Sequence, residues 1–170
     1  MPRILTYCLV CFSLTAAVQA QQRYEVGTLE VIGNDELSED QLLNVIQTRE
    51  TPWWLWKALY SKPEYYDPIV FEADFVRLRR FYENNGFYHA RVDTSLRFDE
   101  GSGMVDLQFR IQEGRRSYID TLEYKGLGGL PPEFTDEVNS GKFIEVGDPF
   151  VLDKIQAELR RVVSLFANYG

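Results

Sequence analysis

Thiol and imidazole chemistry is almost missing from this 170-residue chain, which holds two cysteines and one histidine. Both cysteines, Cys8 and Cys11, fall within the first twenty residues. That stretch is laid out as a secretory leader: Arg3, an apolar run from Ile4 to Val18, and the small-residue ending Val18-Gln19-Ala20. The run is shorter than the ~20 residues of a spanning helix, so residues 1–20 are expected to be a cleaved signal peptide. A chain starting at Gln21 would hold no cysteine, which excludes a disulfide framework and thiol or cysteine–metal chemistry. His89 alone completes neither a zinc site nor a nucleophile–base pair. Positive charge is also short, with 18 Lys and Arg against 26 Asp and Glu. An acidic exported chain is a poor partner for nucleic acid, and none is expected.

The remaining motifs of small-molecule chemistry fail on spacing. Gly126, Gly128 and Gly129 are followed by prolines and not by the lysine and hydroxyl of a phosphate loop. Asp99, Glu100 and Asp106 around Gly101 and Gly103 lack calcium-loop spacing, and a hairpin turn accounts for the glycines. No enzyme, cofactor or metal is expected.

What the chain has is repetition. Thr28-Leu29-Glu30 recurs as Thr121-Leu122-Glu123, Asp67-Pro68 as Asp148-Pro149, and Leu78-Arg79-Arg80 as Leu159-Arg160-Arg161, in the same order. The segment Phe81-Tyr82-Glu83-Asn84-Asn85-Gly86 is echoed by Leu165-Phe166-Ala167-Asn168-Tyr169-Gly170. These matches predict a duplicated unit of roughly 90 residues.

Within the first unit, Tyr24, Val26, Leu29, Val31 and Ile32 predict a strand that stops at the turn signal Gly33-Asn34. Ser38-Glu39-Asp40-Gln41 is a capping box opening a short helix with Leu42, Val45 and Ile46 on one face. Asp67-Pro68 announces a second helix, with Phe71, Phe75, Leu78 and Tyr82 at helical spacing and Gly86 as its stop. From Tyr88 to Phe98, then from Val105 to Ile111, apolar residues alternate as in half-buried strands, and Glu113-Gly114 closes the second of these. The order strand, helix, helix, strand, strand predicts an α+β layer whose third strand is central and whose second is an edge. In the second unit, Tyr118 to Tyr124 predicts a strand, Phe134 to Val138 a weak helix, and Val151 to Phe166 a long one. No hairpin follows, so Val162, Phe166 and the weak helix are expected to be poorly covered.

Thr51-Pro52-Trp53-Trp54-Leu55-Trp56 gathers all three tryptophans, with Tyr60, Tyr65 and Tyr66 close behind. Two readings stand: rings packed over the end of the helical layer, or a partner patch at Trp53, Trp54 and Trp56.

The ordered set Gly33-Asn34, Leu37-Ser38, Leu42-Leu43, Pro52-Trp53-Trp54, Asp74, Leu78-Arg79, Phe81-Tyr82, Gly86-Phe87-Tyr88, Ala90-Arg91-Val92 and Ile111-Gln112-Glu113-Gly114 resembles the POTRA domains of BamA/TamA-type outer-membrane assembly factors, the bacterial surface antigen family. The resemblance implies tandem POTRA-like units, residues 21–116 and 117–170, the second lacking its last two strands. It implies a periplasmic, non-catalytic module before a carboxy-terminal β-barrel, with unfolded outer-membrane proteins and accessory subunits as partners. A periplasmic scaffold of the division or two-partner secretion type is the alternative. Joined to the predicted topology, it implies a client-binding edge at Phe87, Tyr88, His89, Ala90, Arg91, Val92, Asp93 and Thr94, to which an extended client adds as a strand. Charges at Arg91, Asp93 and Arg97 are the counter-argument, since natural edges carry charge to resist aggregation. Gly33, Ser38, Asp67, Gly86 and Gly114 are expected to be structural turns and caps.

Overall fold

A strand that alternates in and out of a core should place apolar residues two apart, yet Val26 and Leu29 of the first strand are three apart and both buried. The computed structural model, which describes residues 23–52 and 62–169, resolves this with a bulge. In β1 (Glu25–Ile32) the pairing steps from Val26↔Val105 to Thr28↔Asp106, leaving Gly27 as the extra residue and returning the next side chains to phase. Residues 1–20, expected as a leader, and the three tryptophans lie outside the described residues.

After β1 come α1 (Glu39–Val45), α2 (Pro68–Asn84), β2 (Arg91–Asp99) and β3 (Met104–Gln112). Among the described residues they form a three-stranded sheet of order β1-β3-β2. Strand β3 runs parallel to β1 and antiparallel to β2. Two intervening helices bring the chain back to the end of the sheet where β1 finished, which is why β2 runs against β1 and β3 with it. The α+β layer is therefore the expected one, with β3 central and β2 at an edge.

Local chemistry sets the helix ends. The Ser38 hydroxyl accepts from the Gln41 amide while Gln41 Oε1 accepts from the Ser38 amide at 3.0 Å. Asp67 caps α2 by accepting from the amides of Ile69 and Val70, and Pro68 occupies its first turn. At the far end Gly86 takes φ +90°, its amide donates to Glu83, and the Phe87 amide donates back to Tyr82 at 2.9 Å. This is a Schellman closure, completed by the Tyr82 and Phe87 rings packed 5.6 Å apart.

That closure overturns one expectation. Phe87, Tyr88, His89 and Ala90 are not in a strand; β2 begins at Arg91. Phe87 is committed to ending α2 and is buried, and the Ala90 amide turns back to the Phe87 carbonyl.

One face of the sheet buries Val26, Leu29, Val31, Val105, Leu107, Phe109 and Ile111 against Leu42, Ile46, Phe71, Leu78 and Tyr82 of the helical layer. Phe71 and Phe109 meet at 4.8 Å between ring centroids. Glu113 joins three elements: it accepts from the Glu36 amide at 2.9 Å, the Leu37 amide at 3.3 Å and the Tyr82 hydroxyl at 3.0 Å. Burial, then the neighbouring Glu113 carboxylate, pushes the Tyr82 phenol far above its usual range, so it stays a donor. Tyr82→Phe is expected to lower unfolding stability by about 1.5–3 kcal/mol, the worth of a hydrogen bond to a charged group. Urea titration of the two proteins checks this.

Two further helices follow, α3 (Pro132–Asn139) and α4 (Leu152–Tyr169). The strand expected from Tyr118 to Tyr124 does not form. Among the described residues this segment has a single bridge, Tyr118↔Pro149, and strand propensity without a ladder partner does not make a strand. The expectation of a poorly covered weak helix also fails, because Phe134 and Val138 of α3 are buried, with the Phe166 and Tyr169 rings 4.7 and 4.6 Å from Phe134. Val162 is half-buried, whereas Leu159, Val163 and Phe166 leave much of α4 exposed.

Candidate functional site

The two outer strands of the sheet differ in what lies beside them. The first half of the free side of β1 is occupied: the Val26 amide donates to Glu64, the Thr51 amide to Val26 and the Tyr66 amide to Tyr24, all at 2.8 to 2.9 Å. Glu25 also bridges to Tyr65, and the Leu29 amide reaches the Glu50 carboxylate at 3.4 Å. β2 has no such cover among the described residues, where its ladder partner is β3. An edge strand turns the N–H and C=O of alternate residues outward, so Arg91 to Asp99 presents a row of main-chain donors and acceptors.

The faces of β2 are also unequal. Its inward residues Val92, Thr94, Leu96 and Phe98 pair with Ile111, Phe109, Leu107 and Val105 of β3, all of which are buried. Of the β2 set only Val92 is buried, while Leu96 and Phe98 are 37% and 46% exposed. The helical layer covers β1, β3 and the start of β2 at Val92, and leaves the later inward residues of β2 partly open. The outward face is polar: Asp106 accepts from Thr28 at 2.9 Å and from Arg97, making one rung across all three strands. The Arg97 guanidinium first, then the Thr28 hydroxyl, holds the Asp106 carboxyl below the usual carboxylate range.

Of the residues expected at the edge, Arg91, Val92, Asp93 and Thr94 lie on β2. Phe87, Tyr88, His89 and Ala90 lie instead in the turn that leads to it, beside the segment leaving β3. There the Ser117 amide donates to Gly86 at 2.8 Å, the Phe150 amide donates to Ser117 at 2.9 Å, and Arg116 donates to Asn85 at 3.1 Å while lying over the Phe87 ring. Tyr88 packs on Phe150 at 5.6 Å. A Cβ on Gly86 would approach the Phe150 carbonyl to 2.9 Å, so this position needs glycine both for its φ and for close approach. Gly33 and Gly114 also take positive φ.

Three buried carboxylates escaped the sequence reading as active parts. Besides Glu113, Asp74 on α2 accepts from the amides of Gln47 and Thr48, from the Thr48 hydroxyl and from Arg77. On α4, Glu158 accepts from the Phe143 amide, Tyr124 and Arg161, and Arg161 donates to the carbonyls at the end of α3. Asp74 and Glu158 each clasp the chain leaving a short helix with a carboxylate paired to an arginine three residues on. The repeated acid–Arg spacing was the available signal.

The Arg161 hydrogen bond, outweighing the opposing effect of burial and helped by the Phe143 amide and Tyr124, lowers the Glu158 carboxyl to about 2. A depressed folded-state value means this contribution is intact above the ordinary carboxylate range. It is lost as pH falls from about 4.5 toward 2. Acid titration of the near-ultraviolet signal of Tyr124 is expected to show this loss, and Glu158→Gln to flatten that part of the curve.

Among the described residues no helix is long and apolar enough to cross a membrane, and no group of His, Cys, Asp and Glu is placed to hold a metal ion.

The sequence is similar to that of known proteins. A protein of Treponema pallidum (strain Nichols) named as an outer membrane protein assembly factor is 24% identical over 153 residues, covering 88% of this chain and 16% of its own length. The outer membrane protein assembly factor BamA of Buchnera aphidicola subsp. Acyrthosiphon pisum (strain APS) is 22% identical over 161 residues, covering 93% of this chain and 25% of its own length. The chain thus spans a quarter or less of these relatives. A crystal structure of Haemophilus influenzae BamA POTRA3-5 matches 82% of this chain and 53% of its own with a TM-score of 0.48 and 17% identity. The POTRA family, described as a surface antigen variable number repeat, matches residues 24–114, which run from the start of β1 to the glycine after the Glu113 clasp. With more than half its length in that match, the chain belongs to the POTRA family.

Proposed function

We propose that this chain is a periplasmic part of an outer-membrane protein assembly factor, taking up unfolded outer-membrane client chains as a fourth strand beside β2. The observation that carries the reading is the asymmetry of the sheet: main-chain bonds occupy the first half of the free side of β1, and among the described residues nothing pairs with the free side of β2. Main-chain pairing suits a carrier of many clients because it does not depend on their side chains. The residues assigned to client contact are Arg91, Val92, Asp93 and Thr94 with the rest of β2, extending the edge to Asp99. Phe87 to Ala90 hold it in place. Residues 21–116 and 117–170 act as two units, the second docking on the Gly86 turn, and tandem units raise the effective concentration for a second contact. Accessory subunits use the remaining surface, with Trp53, Trp54 and Trp56 as the proposed patch. Export through cleavage after Ala20 places the module in the periplasm, and a mature amino terminus at Gln21 is the check.

A titration with a ten-residue barrel-strand peptide tests the central claim. Amide shifts are expected to cluster at Arg91 to Asp99. N-methylating one alternate set of peptide amides should abolish binding, and methylating the other set should spare it. Shifts confined to other surfaces, or equal tolerance of both methylated sets, would refute strand addition.

A further inference from the structure

We infer that β2 is its own complement: two copies of this chain pair through it, antiparallel about a two-fold axis at Ser95, into one six-stranded sheet. The charges of the strand carry the inference. On its polar face β2 shows Arg91, Asp93, Ser95, Arg97 and Asp99, so the signs run plus, minus, neutral, plus, minus. Read from the other end they run minus, plus, neutral, minus, plus. A second copy laid antiparallel with Ser95 opposite Ser95 therefore sets Arg91 opposite Asp99 and Asp93 opposite Arg97, and the two-fold axis repeats both pairs. Opposite signs meet at every charged position. Charge on an open edge ordinarily repels a second sheet, but an alternation that is its own complement admits its own copy.

The register is fixed by exclusion. A slip of two residues one way sets Arg91 against Arg97, and the other way Asp93 against Asp99. Two residues further, Asp93 faces its own copy or Arg97 does. Slips of one residue turn inward side chains against outward ones. In the surviving register Phe98 falls opposite Val92 and Leu96 opposite Thr94 of the second copy. The partly exposed Leu96 and Phe98 thereby gain cross-strand neighbours, one an aromatic–β-branched pair. The existing bonds leave capacity for the new ones. Arg97 gives Nε and Nη2 to Asp106 and keeps Nη1, and Asp99 Oδ2 accepts from the Ser102 hydroxyl with room for a second donor. Self-pairing stands on the open edge itself and needs no client. Its regulatory consequence rests on the client reading: the same main-chain row serves both, so the dimer is the closed state of the edge, opened by competition.

One nine-residue strand against its copy makes a small interface, so the dimer is expected to be weak and to part on dilution. Sedimentation of the full chain from about 10 μM to about 1 mM is expected to show monomer giving way to dimer. Asp93→Arg sets two arginines face to face across the axis and Arg97→Asp two aspartates. Each alone is expected to weaken dimerisation at least about tenfold, and an equimolar mixture to restore it as a heterodimer. In a Cys8→Ser, Cys11→Ser background, Ser95→Cys is expected to crosslink to its own copy under mild oxidation. Arg91→Cys is not, because the two copies of that position lie about 27 Å apart along the strands. A chain monomeric throughout the range, equal crosslinking at the two positions, or a mixture that stays monomeric while both variants keep the wild-type amide spectrum would overturn self-pairing. If the charge variants unfold, the two cysteine positions decide. A monomer whose β2 amides shift with the barrel-strand peptide sinks self-pairing alone. A dimer through β2 whose amides no peptide shifts, even when diluted to monomer, keeps self-pairing and ends the client reading.

Discussion

Asp74→Ala is expected to lower unfolding stability by about 3–5 kcal/mol, the scale for removing one side of a buried, hydrogen-bonded charge pair. The carboxylate is fully buried and collects two main-chain amides, a hydroxyl and a guanidinium within 2.5 to 2.8 Å. Its loss leaves the Gln47 and Thr48 amides without acceptors and Arg77 without its partner. Asp74→Asn is expected to be nearly as damaging, because its amide group turns one donor toward other donors. Burial raises the pKa of this carboxyl, but the Thr48, Gln47 and Arg77 hydrogen bonds outweigh it and leave it below its ordinary value. The contribution is therefore present at neutral pH and lost as the solution is acidified below about pH 4, so the deficit of the mutant should shrink there. Urea unfolding at pH 7 and pH 3 measures both, and a loss under about 1 kcal/mol at pH 7 would show that the clasp is not holding the loop.

The second large effect is expected at Gly33. This residue takes φ +80°, and a Cβ there would land on the carbonyl of Ile111 in the central strand. Left-handed geometry alone costs a non-glycine residue about 1–2 kcal/mol, and the clash falls on sheet backbone that has no flexible end to swing aside. Gly33→Ala should cost more than about 3 kcal/mol, and Gly33→Val should not give a folded first sheet. The contrast is Gly103→Ala, where φ is +71° but nothing lies within 4 Å of the added carbon. It is expected to cost only the conformational part. Thermal melts of the three variants would expose an error if Gly103 and Gly33 behaved alike.

How far these features can be read in sequence follows the distance over which each acts. Ser38 with Gln41 and Asp67 with Pro68 are settled within one helical turn, and both caps form as their spacing predicts. The parallel β1–β3 pairing was legible because two helices between strands leave few routes for the chain. The start of β2 was misplaced because Tyr88, Ala90 and Val92 alternate as a strand does. What breaks the alternation is the Phe87 amide bonding back to Tyr82, a helix-ending contact that competes for the same residues. The roles of Asp74 and Glu113 depend on partners 26 and 77 positions away and leave no periodic trace. The bulge at Gly27 did leave one, in the three-residue gap between Val26 and Leu29.

The turn at Gly86 is also a mechanical part. Its carbonyl receives Ser117, and the Ser117 carbonyl receives Phe150, two residues ahead of α4. A tug on α4 along this line reaches the closing end of α2 through two main-chain bonds, without passing through the exposed edge of β2. If a client pairs with that edge as proposed, force on α4 would reach α2 by a route separate from the client's own pairing.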